Sequence, residues 1–212
     1  MTTIAVGDIH GKYQRFTQLL PRLKYAKGAT LVTLGDYVDR GPGSCAVVKL
    51  LMSGGLHKYG FAKVVCLKGN HEAMMVDAVL FGRGRQDWLR NGGTETIKSY
   101  NGDVDLMTKQ AEWMQKLPTS YRDTLRYYVH GGINPDRPLD EQREEEQLWI
   151  RDKFLKDDRK HPLLVVHGHT PVEDVDVRHN RINLDTGAVF DGWLSAAVFN
   201  DEQEQPIKII QV

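Results

Sequence analysis

The chain has little cysteine, no excess charge of either sign and no long apolar run, and each shortage removes a class of protein. Cys45 and Cys66, its two cysteines, are too few for a disulfide-stapled scaffold and suit a reducing compartment. Cys66 lies within an apolar run and reads as a buried thiol. Lysine plus arginine (28) equals aspartate plus glutamate (28), so no basic surplus points to a nucleic-acid partner. No apolar stretch approaches the ~20 residues of a membrane span, and no membrane partner is expected. A first strand starting by Ile4 leaves no room for a signal peptide, so the expected setting is cytoplasmic. With 212 residues a full core is affordable in a single domain over 1–212, and no repeat, low-complexity tract or linker argues for a boundary.

What is present is a recurring pattern of a short apolar run, a glycine, and then Asp, His or Asn. It appears as Ile4-Ala5-Val6-Gly7-Asp8-Ile9-His10-Gly11, as Leu31-Val32-Thr33-Leu34-Gly35-Asp36-Tyr37-Val38-Asp39-Arg40-Gly41, and as Val64-Val65-Cys66-Leu67-Lys68-Gly69-Asn70-His71-Glu72. Gly-Asp alone is an ordinary turn. Between these segments, Phe16, Leu19, Leu20 and Leu23 fall at helical spacing over Lys12 to Leu23, and Val47, Val48, Leu51 and Met52 do so over Ser44 to Met52. The result is βαβαβ, whose parallel strands place their carboxyl ends on one edge. Asp8, His10, Asp36, Asp39, Arg40, Asn70 and His71 should therefore meet there.

From Ala73 to Pro118 the pattern predicts helices at 73–81, 86–91, 94–100 and 104–117, forming a helical insertion around 73–118 that packs on the sheet. After Pro118 the chain reads as β, with strands at 120–122, 125–129, 163–166, 181–184, 194–199 and 207–212. The exception is the polar stretch 136–160, where 139–155 reads as one charged helix with Glu144-Glu145-Glu146 on a solvated face. Two further histidine-bearing strand ends follow, His130-Gly131-Gly132 and His167-Gly168-His169. Strand alternation puts His167 on the face of His169, in a supporting role. His57, His161 and His179 lie in polar loops and read as surface residues.

Taken in order, Gly7-Asp8-Ile9-His10-Gly11, Gly35-Asp36-Tyr37-Val38-Asp39-Arg40-Gly41, Gly69-Asn70-His71-Glu72, His130-Gly131-Gly132 and Gly168-His169 resemble the motifs of the phosphoprotein phosphatase family, within the calcineurin-like metallophosphoesterases. The resemblance spans essentially the whole chain, and the compact size is similar to bacterial and bacteriophage λ members. It implies an α/β sandwich of mixed sheets flanked by helices, with metals at the carboxyl edge. It also implies that Asp8, His10 and Asp36 hold a first ion, that Asp36 bridges, and that Asn70, His130 and His169 complete a second site. Two divalent ions ~3.5–4 Å apart can activate a water for attack on phosphorus. Mixed carboxylate, amide and imidazole donors favour manganese, iron or zinc over calcium, and small bacterial relatives point to manganese.

The same resemblance makes His71 the general acid, with Asp39 orienting it, and it places substrate phosphate against Arg40, Asn70 and Arg151. Arg151 stands in Trp149-Ile150-Arg151, similar to the family's Trp-x-Arg pattern. On spacing alone Asp39 is a turn carboxylate and Arg151 a solvated helix residue. Pro171 stands where the broader superfamily often has another histidine, and Phe190 falls near a tyrosine of eukaryotic relatives. The expected activity is hydrolysis of phosphoserine or phosphothreonine monoesters, with phosphotyrosine as a further substrate. The nearest rival is a symmetrical dinucleoside tetraphosphatase acting on a dinucleoside polyphosphate. Asp39 argues against that branch, which resemblance associates with alanine there. A non-catalytic metal-bound scaffold is the rival from another class, and it has no use for His71, Asp39 and Arg40.

Overall fold

Ile4 and Val6 face one way from the first strand and Ala5 the other, and this period-two alternation decides what each side of the sheet meets. The computed structural model describes residues 1–212. Strands β1 (Thr3–Val6), β2 (Thr30–Thr33) and β3 (Lys63–Cys66) run parallel, while β9 (Ser195–Phe199) and β10 (Lys208–Gln211) extend the sheet antiparallel, in the order β10-β9-β1-β2-β3. A second mixed sheet is built from β4 (Ser120–Arg122), β5 (Arg126–Val129), β6 (Leu164–His167), β7 (Asp176–Val177) and β8 (Arg181–Asn183) in the order β4-β5-β6-β8-β7, with β5, β6 and β8 parallel.

The two sheets face each other across Ala5, Val32, Leu34, Leu67, Tyr128, Leu164, Val166, Ile182, Leu184, Ala197 and Phe199. Strands buried on both faces favour apolar side chains on both, which is why Ile4–Val6 of β1 and Leu164–Val166 of β6 read as continuous runs. Outside the first sheet lie α1 (Tyr13–Leu19), α2 (Ser44–Met52), α3 (Asn70–Leu80) and the insertion, with Ile4, Val6, Phe16, Val47, Met75 and Trp88 in one buried cluster. α1 stops short of the predicted Leu23 because Pro21 tightens the chain into a turn at Leu20–Arg22.

In the insertion, α4 (Arg85–Trp88) and α5 (Thr94–Ser99) are joined by a wide turn at Leu89–Gly93, and α6 (Val104–Gln115) packs along α3. The charged helix expected over 139–155 is broken. A tight turn at Leu139–Glu141 precedes α7 (Glu144–Trp149), and α8 (Asp152–Leu155) follows after extended backbone at Ile150. Tertiary bonds override the local helix preference here. Glu146 accepts Asn134 Nδ2–H at 2.6 Å, and the Gln147 carbonyl is taken by Gly131 N–H at 2.6 Å. His161 also departs from expectation: it is buried, with its ring 6.0 Å from Phe154, whereas His57 and His179 are exposed.

Candidate metal centre

Each parallel strand of the central pairs ends in a glycine-containing loop that turns a polar side chain back over the sheet edge. Asp8 and His10 follow β1, Asp36 follows β2, Asn70 opens α3 after β3, His130 follows β5 and His169 follows β6. The loops are cross-tied, since the Asp36 carbonyl accepts both Ile9 N–H (3.1 Å) and His10 N–H (2.7 Å). Gly168 lets the last loop close, because a Cβ there would lie 2.1 Å from Asp8 Oδ1. Among the non-glycine residues with left-handed backbone are His10, Asp36, Asp39, Arg40 and His169. At ~1–3 kcal/mol each, this strain is concentrated on the candidate site instead of being spread over ordinary turns.

Asp36 sits at the centre. Its Oδ2 lies 3.3 Å from His10 Nε2 and its Oδ1 lies 3.2 Å from His130 Nε2. Two groups of potential ligand atoms share it, His10–Asp36–His71 and Asp36–His130–His169. Asn70 Oδ1 adds an oxygen 2.8 Å from His130 Nε2 and 3.0 Å from His169 Nδ1. Asp8 stands beside them and accepts His169 N–H at 3.2 Å, though its carboxylate is in neither tight group.

The chemistry of these donors asks for a cation. His10 Nδ1–H donates to the Val38 carbonyl (2.8 Å) and His130 Nδ1–H to the Leu34 carbonyl (3.0 Å). Those bonds fix the tautomer and leave each Nε2 lone pair aimed at carboxylate or amide oxygen. His169 Nε2 is buried with no hydrogen-bond partner. Burial, then Asp185 and Asp36, hold the Asp8 carboxyl well above its ordinary range. Burial lowers His130, and burial with His130 nearby pushes His169 down to about 2, so both imidazoles stay neutral as ligation requires. Burial opposes ionisation of Asp36, and positive charge on the facing rings of His130, His71 and His10 would hold its carboxyl well below the usual range; where the rings are neutral ligands, that charge falls to a bound cation. A divalent ion pair fits this donor set.

Around the centre, Glu72 is wholly buried and accepts Asp36 N–H (2.7 Å), Tyr37 N–H (2.7 Å) and Gly69 N–H (2.8 Å). Burial and the charge of Asp36 push it up to about 8, so those donors offset an expensive carboxylate that shapes the Asp36 loop. His71 Nδ1–H donates to Asp39 Oδ2 at 2.7 Å, leaving Nε2 toward the centre, 3.9 Å from Asp36 Oδ2. Arg40 Nη1 lies 2.7 Å from His10 Nε2, with its guanidinium 5.5 Å from the Phe190 ring centroid. Arg151, which follows the extended Ile150 and precedes α8, bonds the His169 carbonyl (3.1 Å) and Thr170 Oγ1 (2.8 Å) at the rim.

His167 does not share the face of His169. β6 ends at His167, whose ring packs edge-on against Phe154 at 5.1 Å, and Gly168-His169 turns away with His169 at φ +68°. Sequence reasoning passed over Trp88, Thr96 and Asp185, all buried next to this edge. For Trp88 the available signal was a tryptophan followed by Gly92-Gly93 inside a charged helical stretch.

Two mixed sheets, helices outside them and a cluster of Asp, Asn and His at their carboxyl edges define a metallophosphoesterase architecture, and the chain belongs to the calcineurin-like phosphoesterase family, whose model matches residues 1–196. Among its relatives, serine/threonine-protein phosphatase 2 of Escherichia coli (strain K12) is 30% identical over 204 residues, covering 90% of this chain and 89% of that protein. The asymmetrical bis(5'-nucleosyl)-tetraphosphatase PrpE of Bacillus thuringiensis (strain Al Hakam) is 27% identical over 225 residues, covering 90% and 87%. A solved structure described as a putative diadenosine tetraphosphatase superposes with a TM-score of 0.72 at 27% identity, covering 100% of this chain and 92% of that one. No helix is long and apolar enough to cross a membrane.

Proposed function

We propose that the 212 residues form one catalytic unit, a metal-dependent phosphoric monoester hydrolase acting on phosphoserine and phosphothreonine. The observation that carries this reading is the buried His71–Asp39 pair, 2.7 Å apart and directed at the Asp36 cluster. An alkoxide leaving group such as serine is poor and needs a proton, whereas a departing polyphosphate needs one much less. Asp8, His10 and Asp36 would hold one ion, and Asp36, Asn70, His130 and His169 the other, with manganese favoured and iron or zinc compatible. When bound, the ions supply an activated water and positive charge for the phosphoryl oxygens.

The chain's own residues do the rest. Arg40 and Arg151 orient the phosphate with planar donor forks, and Asn70 lies within reach of the same oxygens. As the phosphorus–oxygen bond to serine breaks, its electron pair stays on the serine oxygen, which takes the proton from His71 Nε2. The entering oxygen comes from water, one of whose hydrogens remains on phosphate while the other restores His71. Asp39 holds the imidazole in place throughout.

The second reading, hydrolysis of a dinucleoside tetraphosphate, is favoured by the names of the 27% identical relative and the structural neighbour. Side-by-side turnover of a phosphoseryl peptide and diadenosine tetraphosphate separates the two, and the first reading expects the peptide to have the higher kcat/KM. The reverse order would overturn it. Arg40 offers a further check. Arg40→Ala should weaken inhibition by free phosphate about tenfold or more, as loss of a hydrogen bond to a charged group predicts, with metal content intact. Unchanged inhibition would move Arg40 out of the phosphate site.

A further inference from the structure

Asp39 is completely buried, yet the β-sandwich supplies only part of what surrounds it. Its carboxylate takes one hydrogen bond from His71, and the remaining side-chain donors come from the helical insertion. Trp88 Nε1–H is shared between Oδ1 (3.0 Å) and Oδ2 (3.1 Å), and Thr96 Oγ1–H donates to Oδ1 at 2.6 Å. The Asp39 amide in turn donates to Thr96 Oγ1 at 2.8 Å and to Ser44 Oγ at 3.1 Å. Both Trp88 and Thr96 are themselves fully buried.

The backbone of the same segment reaches the next residue, with Arg40 N–H donating to the Gly92 carbonyl at 3.2 Å. Gly92 has φ +107°, and a Cβ there would lie 2.6 Å from the Arg40 nitrogen. At Gly93 a Cβ would lie 2.6 Å from the Trp88 indole. The two glycines therefore have a physical purpose. One brings the backbone onto Arg40, and the other leaves room for the ring that reaches Asp39. Packing alone would require neither the indole N–H nor the threonine hydroxyl to face a carboxylate.

We propose that the segment Trp88–Thr96 positions the Asp39–His71 pair for proton delivery, with Trp88 and Thr96 as positioning residues acting through Asp39. A carboxylate held on both oxygens cannot swing away from His71 Nδ1, so the Nε2 proton stays aimed at the leaving oxygen. Donors fixed beforehand cost no rearrangement during the reaction. The inference rests on the reading of His71 as the proton donor, and the test separates the two.

Trp88→Phe keeps a large ring in the cavity and removes the shared N–H. For a phosphoseryl peptide, kcat should fall about tenfold with KM within about twofold, and p-nitrophenyl phosphate turnover should fall far less. Thr96→Val should show the same selective loss, and Thr96→Ser should restore turnover, which covers the case in which Trp88→Phe folds poorly. In a His71→Asn background, Trp88→Phe should cost nothing further, because residues acting as a unit are non-additive. Equal losses on both substrates in Thr96→Val, or a full additional loss in the His71→Asn background, would reduce the segment to packing and overturn the inference. If His71→Asn itself lost both substrates equally, the acid reading would fail, and this inference with it.

Discussion

Asp36→Asn should weaken the binding of both ions and cost more turnover than the ~10–100-fold typical of losing an outer-shell partner. The expectation follows from geometry: Asp36 is the one residue shared by the two ligand groups, with a different oxygen toward His10 and His130. Asparagine retains the shape but offers one neutral oxygen, so it can serve one side at most. His169→Ala should instead weaken mainly one ion, because His169 belongs to a single group. Metal analysis of purified protein distinguishes the cases. Retention of two ions by Asp36→Asn at unchanged affinity would remove its bridging role.

His71→Asn should produce the largest selective effect. The phosphoseryl peptide needs its leaving oxygen protonated, whereas p-nitrophenolate departs readily without help. Loss of the general acid should reduce phosphoserine turnover by ~10²–10⁴-fold, about 2.7–5.5 kcal/mol at about 1.36 kcal/mol per decade, with a much smaller effect on p-nitrophenyl phosphate. Asp39→Asn should move in the same direction by less. The ring of His71 stands edge-on to that of His10 at 4.7 Å, so metal content must be measured in the same samples. Equal losses on both substrates accompanied by lost metal would make His71 a ligand or a structural residue.

These residues were legible in the sequence because strand geometry does most of the placing. A short apolar run ending in glycine, as at Ile4–Val6 and Gly7, is both a buried parallel strand and the start of a loop at its carboxyl edge. Three such units in βαβαβ order therefore bring Asp8, His10, Asp36, Asn70 and His71 together without knowledge of any side-chain contact. Chain elements that depend on distant partners were not legible. The stretch from Leu139 to Leu155 has local helix preference throughout, but Gly131 and Asn134 claim groups of α7, and the backbone opens at Ile150. That opening is what brings Arg151 to the carbonyl of His169.

His161 follows the same logic. It sits in a polar run, yet the fold buries it with its ring 6.0 Å from that of Phe154. Asp39 and Thr96 are 57 residues apart, and nothing in the local pattern of either anticipates their 2.6 Å bond. His167 and His169 look equivalent by alternation, yet the strand ends between them and sends the two rings to different surroundings. In each case the missing information is a tertiary contact that overrides a local period.

Titration of metal-depleted protein with manganese, followed by calorimetry and by phosphomonoester hydrolysis in the same samples, tests the central claim most directly. The account predicts two equivalents bound per chain, turnover absent in chelator, and full turnover only when both sites are filled. Full turnover in the presence of chelator, or saturation of both binding and activity at one equivalent, would contradict it.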